Sequence, residues 1–182
     1  MNLFIDTHLN DVIIILEQDG KIIKKQFITD KKQNSTFIMP TIKKILGKQK
    51  PSSIIVVNGP GSFTGVRLGV TIAKTLAYTM KVPIRTISSL EMMAVSCVEE
   101  EKIVAFSDNN GYYIGIFDKN NELIGTYEYL TNSEFKIYES KYEVLQNIEI
   151  NYENVIKFAL SKKELNAHEA NPVYVKKIDV EK

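Results

Sequence analysis

The stretch from Ile54 to Met80 constrains the fold more than any other part of the chain. Ile54-Ile55-Val56-Val57 is a continuous apolar run, the pattern of a strand covered on both sheet faces. A glycine-rich turn from Asn58 to Gly65 follows it, and an apolar helix then runs to about Met80, with Pro83 as its stop. Strand, tight turn and helix in that order form a βα unit. The chain is therefore expected to be an α/β protein in which this strand is covered on both faces.

The flanking segments fit that frame. Leu3-Phe4-Ile5, Val12 to Leu16 and Lys21-Ile22-Ile23 are short apolar runs parted by Asn10-Asp11 and by Asp19-Gly20. An Asp-Gly pair between such runs is a hairpin signal, so the opening reads as a three-stranded meander. Ile38, Ile42, Ile45 and Leu46 lie on one stripe of a helix of about fifteen residues. Pro40 falls inside it, so that helix begins or bends there, and Gly47 with Lys48 ends it. Ile84-Arg85-Thr86 is a short strand. Ser88-Ser89-Leu90-Glu91 has capping-box spacing and opens a third helix with Met92, Ala94 and Val95 as core positions.

The second half repeats part of this layout. Ile103 to Asp108, Gly111 to Asp118 and Glu122 to Leu130 read as strands, with Lys119-Asn120-Asn121 as a turn. Asp6 corresponds to Asp108, and Asp19-Gly20 to Asn120-Asn121, as in an internal duplication offset by about a hundred residues. Beyond Thr131 the chain is polar and weakly patterned. One helix is expected at Glu153 to Ser161, from Val155, Ile156, Ala159 and Leu160, and Pro172-Val173-Tyr174-Val175 as an extended piece packing back on the body.

Composition enters mainly as an asymmetry. Residues 1–90 carry 13 Lys+Arg against 5 Asp+Glu, a net of +8, and residues 91–182 carry 10 against 17, a net of −7. Nine lysines lie between Lys21 and Lys50 with a single acid, Asp30. Such a patch attracts nucleic acid or an acidic partner, or is a solvated face; its lysines are not interleaved with a regular series of aromatic residues as in a single-strand binder. No apolar run approaches bilayer length and Met1 to Asp6 lacks signal-peptide character, so a cytoplasmic protein is expected. Cys97 stands alone and reads as a small buried side chain. His8 and His168 belong to no metal-ligand pattern, so neither a metal site nor a catalytic residue is assigned.

The glycine turn fails the templates it superficially resembles. A Walker A loop needs a Lys-Ser/Thr pair after its second glycine, and none follows Gly65. In a dinucleotide fingerprint the third glycine would come one residue earlier. A nucleophile elbow needs glycines where Ser62 has Pro60 and Thr64. Ser62 or Thr64 reads better as a helix N-cap. In the following helix Gly61, Gly65, Gly69, Ala73 and Ala77 recur every four residues, beside the apolar Leu68, Ile72, Leu76 and Met80. Two arrangements suit this pattern: a helix buried against its own sheet, or a two-faced helix whose small stripe receives another chain. Arg67 in the first helical turn opposes the helix dipole and calls for a nearby carboxylate or phosphate, or else extends into water. Asp6, Thr7 and Asp108, at strand ends, suit phosphate or Mg²⁺ contacts or simple turns.

The run Gly59-Pro60-Gly61-Ser62-Phe63-Thr64-Gly65-Val66-Arg67, with Leu68-Gly69, resembles the hallmark of the TsaB (YeaZ) family. Ile5-Asp6-Thr7, Ser88 to Glu91 and Pro172-x-Tyr174 extend the likeness, which is close over the first hundred residues and loose beyond. The resemblance implies an actin-like (ASKHA, ribonuclease H-like) α/β fold of two duplicated lobes, here residues 1–100 and a truncated 101–182. It also implies a non-catalytic partner that pairs with a TsaD-like catalytic paralogue and a TsaE-like ATPase for threonylcarbamoyl transfer to adenosine 37 of tRNA. The implied pairing surface, which also serves homodimers, is built from helices at about Gln33–Leu46 and Gly65–Met80. Its candidate residues are Ile38, Ile42, Gly61, Gly65, Arg67, Leu68, Gly69, Ile72, Ala73, Leu76 and Ala77. Asp6, Thr7 and Asp108 would be a vestigial nucleotide site. No cofactor is expected to bind this chain tightly; ATP or ADP with Mg at the boundary of the complex, and tRNA contact by the lysines from Lys21 to Lys50, stay open. The sequence departs from the family in having Asn34 before the first helix where His is common, a shorter second lobe, and Lys176 or Lys177 in place of an Arg after Pro-x-Tyr. The alternative is an ATPase or small kinase of the same fold acting through Asp6, Thr7 and Asp108; a peptidase is disfavoured because no metal ligands are in place.

Overall fold

A computed structural model describes residues 1–29 and 34–176, with side chains omitted at 34 and 35. The expected helix start at Gln33, Lys31, Lys32 and Asp30 of the basic stretch, and Lys177 lie outside the described residues.

Two sheets organise the molecule. The first runs β3-β2-β1-β4-β5, from β1 (Asn2–Asp6), β2 (Val12–Gln18), β3 (Lys21–Ile28), β4 (Ser53–Val57) and β5 (Ile84–Ile87). β1, β2 and β3 form the antiparallel meander, while β4 and β5 add in parallel to β1. The turn at Asp19-Gly20 takes positive φ at both residues (52° and 82°), as a tight hairpin turn requires. This is the sheet order of an actin-like, ribonuclease H-like lobe, as the sequence resemblance implied.

Alternation along the strands sends side chains to two separate cores. Leu3, Ile5, Ile54 and Val56 meet α1 (Asn34–Leu46) and α2 (Phe63–Met80) through Ile38, Ile42, Val70 and Ala73. On the opposite face Phe4, Ile15, Ile55, Val57 and Ile87 meet Met92 of α3 (Ser89–Val95) and Val155, Ile156 and Ala159 of α5 (Tyr152–Ser161). Each such Ile or Leu contributes about 1.5–3 kcal/mol by leaving water. Pro40 sits within α1 without ending it, and Gly47 donates its amide to the Lys43 carbonyl at 2.9 Å as the helix closes.

The second sheet, β6-β7-β8, is antiparallel throughout. It comprises β6 (Lys102–Ser107), β7 (Gly111–Phe117) and β8 (Glu128–Thr131). Leu90, Met93 and Ala94 of α3 cover one face, against Val104, Tyr113 and Phe117. Phe135 of α4 (Asn132–Glu139) covers the other and stacks on Tyr112 at 3.6 Å between centroids.

Three expectations are corrected here. The third strand does not begin at Glu122: Asn121 and Gly125 take positive φ and bend the chain, leaving a bridge at Leu123 before β8 starts at Glu128. The helix α4 was not anticipated. The division at residue 100 does not separate the packing, because α5 returns to the first sheet and Leu165 bridges to Ile84. Arg85 reinforces that return, bonding Ser53, the Lys162 carbonyl and Glu164. Cys97 is half-buried rather than buried; its thiol donates to the Met93 carbonyl, and burial pushes its pKa up. No described helix is long and apolar enough to cross a membrane.

Candidate functional site

The glycine turn is a junction at which four parts of the chain are tied together. Asn58 ends β4 with its amide on the Ile87 carbonyl. Its carbonyl accepts from Val173, and its side-chain amide donates to the Asn171 carbonyl at 3.0 Å. The Gly59 and Pro60 carbonyls, flanking a cis peptide bond, accept from the Ser89 amide and hydroxyl at the start of α3. The Ser62 amide donates to the His8 carbonyl at 2.7 Å, just past β1. Ser62, not Thr64, is the N-cap of α2: its hydroxyl accepts from Gly65.

The small stripe of α2 faces inward. A Cβ added to Gly65 or Gly69 would overlap Thr7, and one on Gly61 would overlap His8. Gly69, Ala73, Leu76 and Ala77 are buried, as are Ile38 and Ile42 of α1. Their expected position on a partner-facing surface is thus corrected. Packing against β1 requires the helix axis to come close to the strand, and only small residues permit that approach. Three of the expected surface residues do face outward: Arg67 is exposed, and Leu68 and Ile72 are half-exposed, beside the exposed Phe63, Thr64, Thr71, Thr75 and Tyr78.

Arg67 is exposed but does not simply extend into water. Its guanidinium lies over the Phe63 ring at 3.8 Å, and its Nε donates to the Tyr174 hydroxyl at 2.8 Å. The Tyr174 ring is 5.5 Å from that of Phe63. Aromatic faces and a phenolic oxygen compensate a cation that the helix dipole disfavours. Phe63, Arg67 and Tyr174 all belong to the family-like motifs, but their meeting is not legible in the sequence, since Tyr174 is 107 positions from Arg67 and carries no local signal of that contact.

The strand-end residues are each committed nearby. Thr7 is 2 % exposed and donates its hydroxyl to the Gly65 carbonyl at 2.7 Å. Asp6, equally buried, accepts from the His8 amide (3.0 Å) and His8 Nδ1 (2.6 Å) through one oxygen. Asp108 accepts from the amides of Asn110 and Gly111 and from the Tyr129 hydroxyl, with Lys176 Nζ at 3.5 Å. Burial would raise the Asp108 pKa, but those hydrogen bonds and the Lys176 charge outweigh it and hold the carboxyl below its usual range. Burial and the hydrogen bond to Asp108 push the Tyr129 phenol up. Asp108 is thus a turn-former, the plainer of its two expected roles.

A magnesium-nucleotide does not fit this donor set. Magnesium takes near-octahedral oxygen ligands, and a phosphate needs free amides or cations. Here the Thr7 hydroxyl and the Ser62 and Gly65 amides already have internal partners. Among the described residues no group of three or more His, Cys, Asp and Glu is placed to hold a metal ion.

Comparison with known proteins gives a consistent picture. The TsaD family model, tRNA N6-adenosine threonylcarbamoyltransferase, matches residues 21–124, more than half of the chain. The tRNA threonylcarbamoyladenosine biosynthesis protein TsaB of Bacillus subtilis is 35% identical over 130 residues, covering 67% of this chain and 57% of the relative. TsaB of Buchnera aphidicola subsp. Schizaphis graminum is 32% identical over 145 residues, 74% of this chain and 68% of the relative. The chain therefore spans under two thirds of the Bacillus protein's length. The solved YeaZ from Pseudomonas aeruginosa shares the fold, with a TM-score of 0.75 over 96% of this chain and 99% of that one, at 18% identity. A second structure from that organism, described as similar to peptidase YEAZ, gives 0.78 over the same shares at 18% identity.

Proposed function

The chain belongs to the TsaB (YeaZ) family, and on that premise we propose that it is a non-catalytic subunit of the assembly that makes threonylcarbamoyladenosine on tRNA. In this reading it pairs with a TsaD-type enzyme, alongside a TsaE-type ATPase, and forms a homodimer when alone. The observation that carries the reading is the division of α2. Its inner face is consumed by Thr7 and the first sheet, while Leu68 and Ile72 stay half-exposed beside Arg67, Phe63 and Tyr78. Exposed aromatic, Arg and aliphatic side chains on one rigid helix have the composition of a binding hot spot. The glycine junction supports the reading because its polar groups hold the fold together rather than a phosphate. Nucleotide is not bound tightly by the chain alone in this proposal.

The test is calorimetric titration with a TsaD-type protein, using Arg67→Ala and Ile72→Glu. Each variant should weaken pairing by about tenfold or more with circular dichroism unchanged. Unaltered affinity in both would refute the assignment of this face. Tight binding of Mg-ATP to the isolated chain would refute the non-catalytic reading and favour the ATPase or kinase alternative.

A further inference from the structure

The outward face of α2 carries a single charge. Its other exposed side chains are aromatic or threonine, with Leu68 and Ile72 half-exposed among them. Lys74, the second charged residue of the helix, is half-buried and donates through Nζ to the His168 carbonyl. Arg67 also stands in the first turn, where no acid accompanies it and the helix dipole disfavours a cation. Its guanidinium is nevertheless held in one place, over the Phe63 ring at 3.8 Å and with Nε donating to the Tyr174 hydroxyl at 2.8 Å. Among the described residues neither Nη1 nor Nη2 has a hydrogen-bond or ion-pair partner. With Nε engaged, the edge left open is the Nη1–Nη2 fork, which fits both oxygens of a carboxylate at once.

A partner that covers this face takes Arg67 out of water. A buried guanidinium without an acceptor is a large loss at an interface, so a well-matched partner must bring an anion to the fork. A second copy of this chain does not bring one on the same helices. Two copies related by a two-fold axis present the same patch to each other, and neither α1 nor α2 contains an Asp or Glu. In such a pair Arg67 meets only uncharged groups or further cations from those helices. An RNA phosphate also suits a guanidinium, but tracking a nucleic-acid backbone takes several free cations, and this face offers one.

We propose that Arg67 sets the partner preference of the α2 face, selecting a protein surface that presents an Asp or Glu carboxylate over a second copy of this chain, an assignment that rests on the pairing role proposed for that face. Phe63 and Tyr174 serve it by fixing the fork before the partner arrives, which lowers the ordering cost of the contact.

Calorimetry with a TsaD-type protein measures the mixed pair, and analytical ultracentrifugation measures self-association, for wild type, Arg67→Gln and Arg67→Lys. Arg67 is exposed, so both variants should keep the wild-type circular dichroism. Arg67→Gln should weaken the mixed pair about tenfold or more and leave self-association equal or stronger. Arg67→Lys keeps the charge but loses the fork, and should weaken the mixed pair about fivefold or more. Raising sodium chloride from about 0.05 M to about 0.5 M should weaken the mixed pair more steeply for wild type than for Arg67→Gln. That salt comparison decides alone if self-association is too weak to measure. The proposal is overturned if Arg67→Gln weakens both pairings alike, if Arg67→Lys pairs as tightly as wild type, or if the two salt slopes coincide. It is likewise overturned if the isolated chain binds bulk tRNA and Arg67→Gln abolishes that binding, which would make phosphate the ligand of the fork. Ile72→Glu separates this outcome from failure of the wider reading: a mixed pair lost in Ile72→Glu but not in Arg67→Gln removes only the role of Arg67, whereas one lost in neither removes the face itself.

Discussion

The close approach of α2 to β1 gives a prediction whose sign runs against ordinary expectation. Glycine inside a helix costs roughly 1 kcal/mol against alanine, so Gly69→Ala would normally stabilise. Here the new methyl would lie closer than 3.0 Å to Thr7 Oγ1, a separation real Cβ atoms essentially never show. Thr7 cannot give way easily: it is buried, β-branched, and bonded through that same oxygen to the Gly65 carbonyl. Overpacking a close-fitted site costs about 1–3 kcal/mol, and displacing the hydroxyl forfeits about 1 more. Against the helical gain, the net is a loss of roughly 2 kcal/mol, or a Tm fall of about 4–8 °C for a chain of this size. Thr7→Ala alone should cost roughly 1–2 kcal/mol from the lost bond and methyl. In the double variant the clash is gone and the helical gain remains, so the total should fall short of additivity by about 2–3 kcal/mol. Urea unfolding followed by circular dichroism measures all four corners of this cycle. If Gly69→Ala stabilises the protein by itself, or if the two losses simply add, the close approach is not what the glycine serves.

Two further perturbations test other joints of the molecule. Ser88→Ala removes the N-cap of α3, whose hydroxyl accepts from Glu91 at 3.0 Å and pairs with the Tyr127 hydroxyl at 2.7 Å; calorimetry should show a loss of roughly 1–2 kcal/mol, and one under about 0.5 would remove the capping box from the account. Asp108 has a depressed folded pKa, so its stabilisation is in place above the ordinary carboxyl value near 4 and is lost as pH falls through the folded value. The stability gap between wild type and Asp108→Asn should therefore shrink between about pH 7 and about pH 3, and a constant gap would show that the charge contributes nothing.

Much of the first sheet was legible because its signals are local. The Asp19-Gly20 turn, the unbroken Ile54–Val57 run and the Ser88–Glu91 box each specify structure within a few residues. The same holds for the stripe of Ile38, Ile42, Ile45 and Leu46. What escaped depends on distance or on weak patterning. α4 buries only Phe135, too little apolar surface to stand out, although Thr131 and Glu134 form a capping box that could have announced it. The small stripe of α2 was visible, but a pattern says that something approaches closely and not what. Thr7 approaches from 62 positions away in the chain, on the end of β1. Similarly, nothing local marks α5 as the cover of the first sheet, because its apolar stripe would suit either lobe.

That cover has a consequence for vectorial synthesis. Ile87 completes the first sheet, yet Tyr152, which begins the helix that seals one of its faces, emerges 65 residues later. At typical translation speeds of about 5–20 residues per second, Phe4, Ile15, Ile55 and Val57 wait roughly 3–13 s for α5. The segment bearing Val173 and Tyr174, which ties down the glycine junction, comes later still. The nascent chain is thus most adhesive midway through its own production, when a half-built sheet shows the ribosome's surroundings an apolar face that the finished protein conceals.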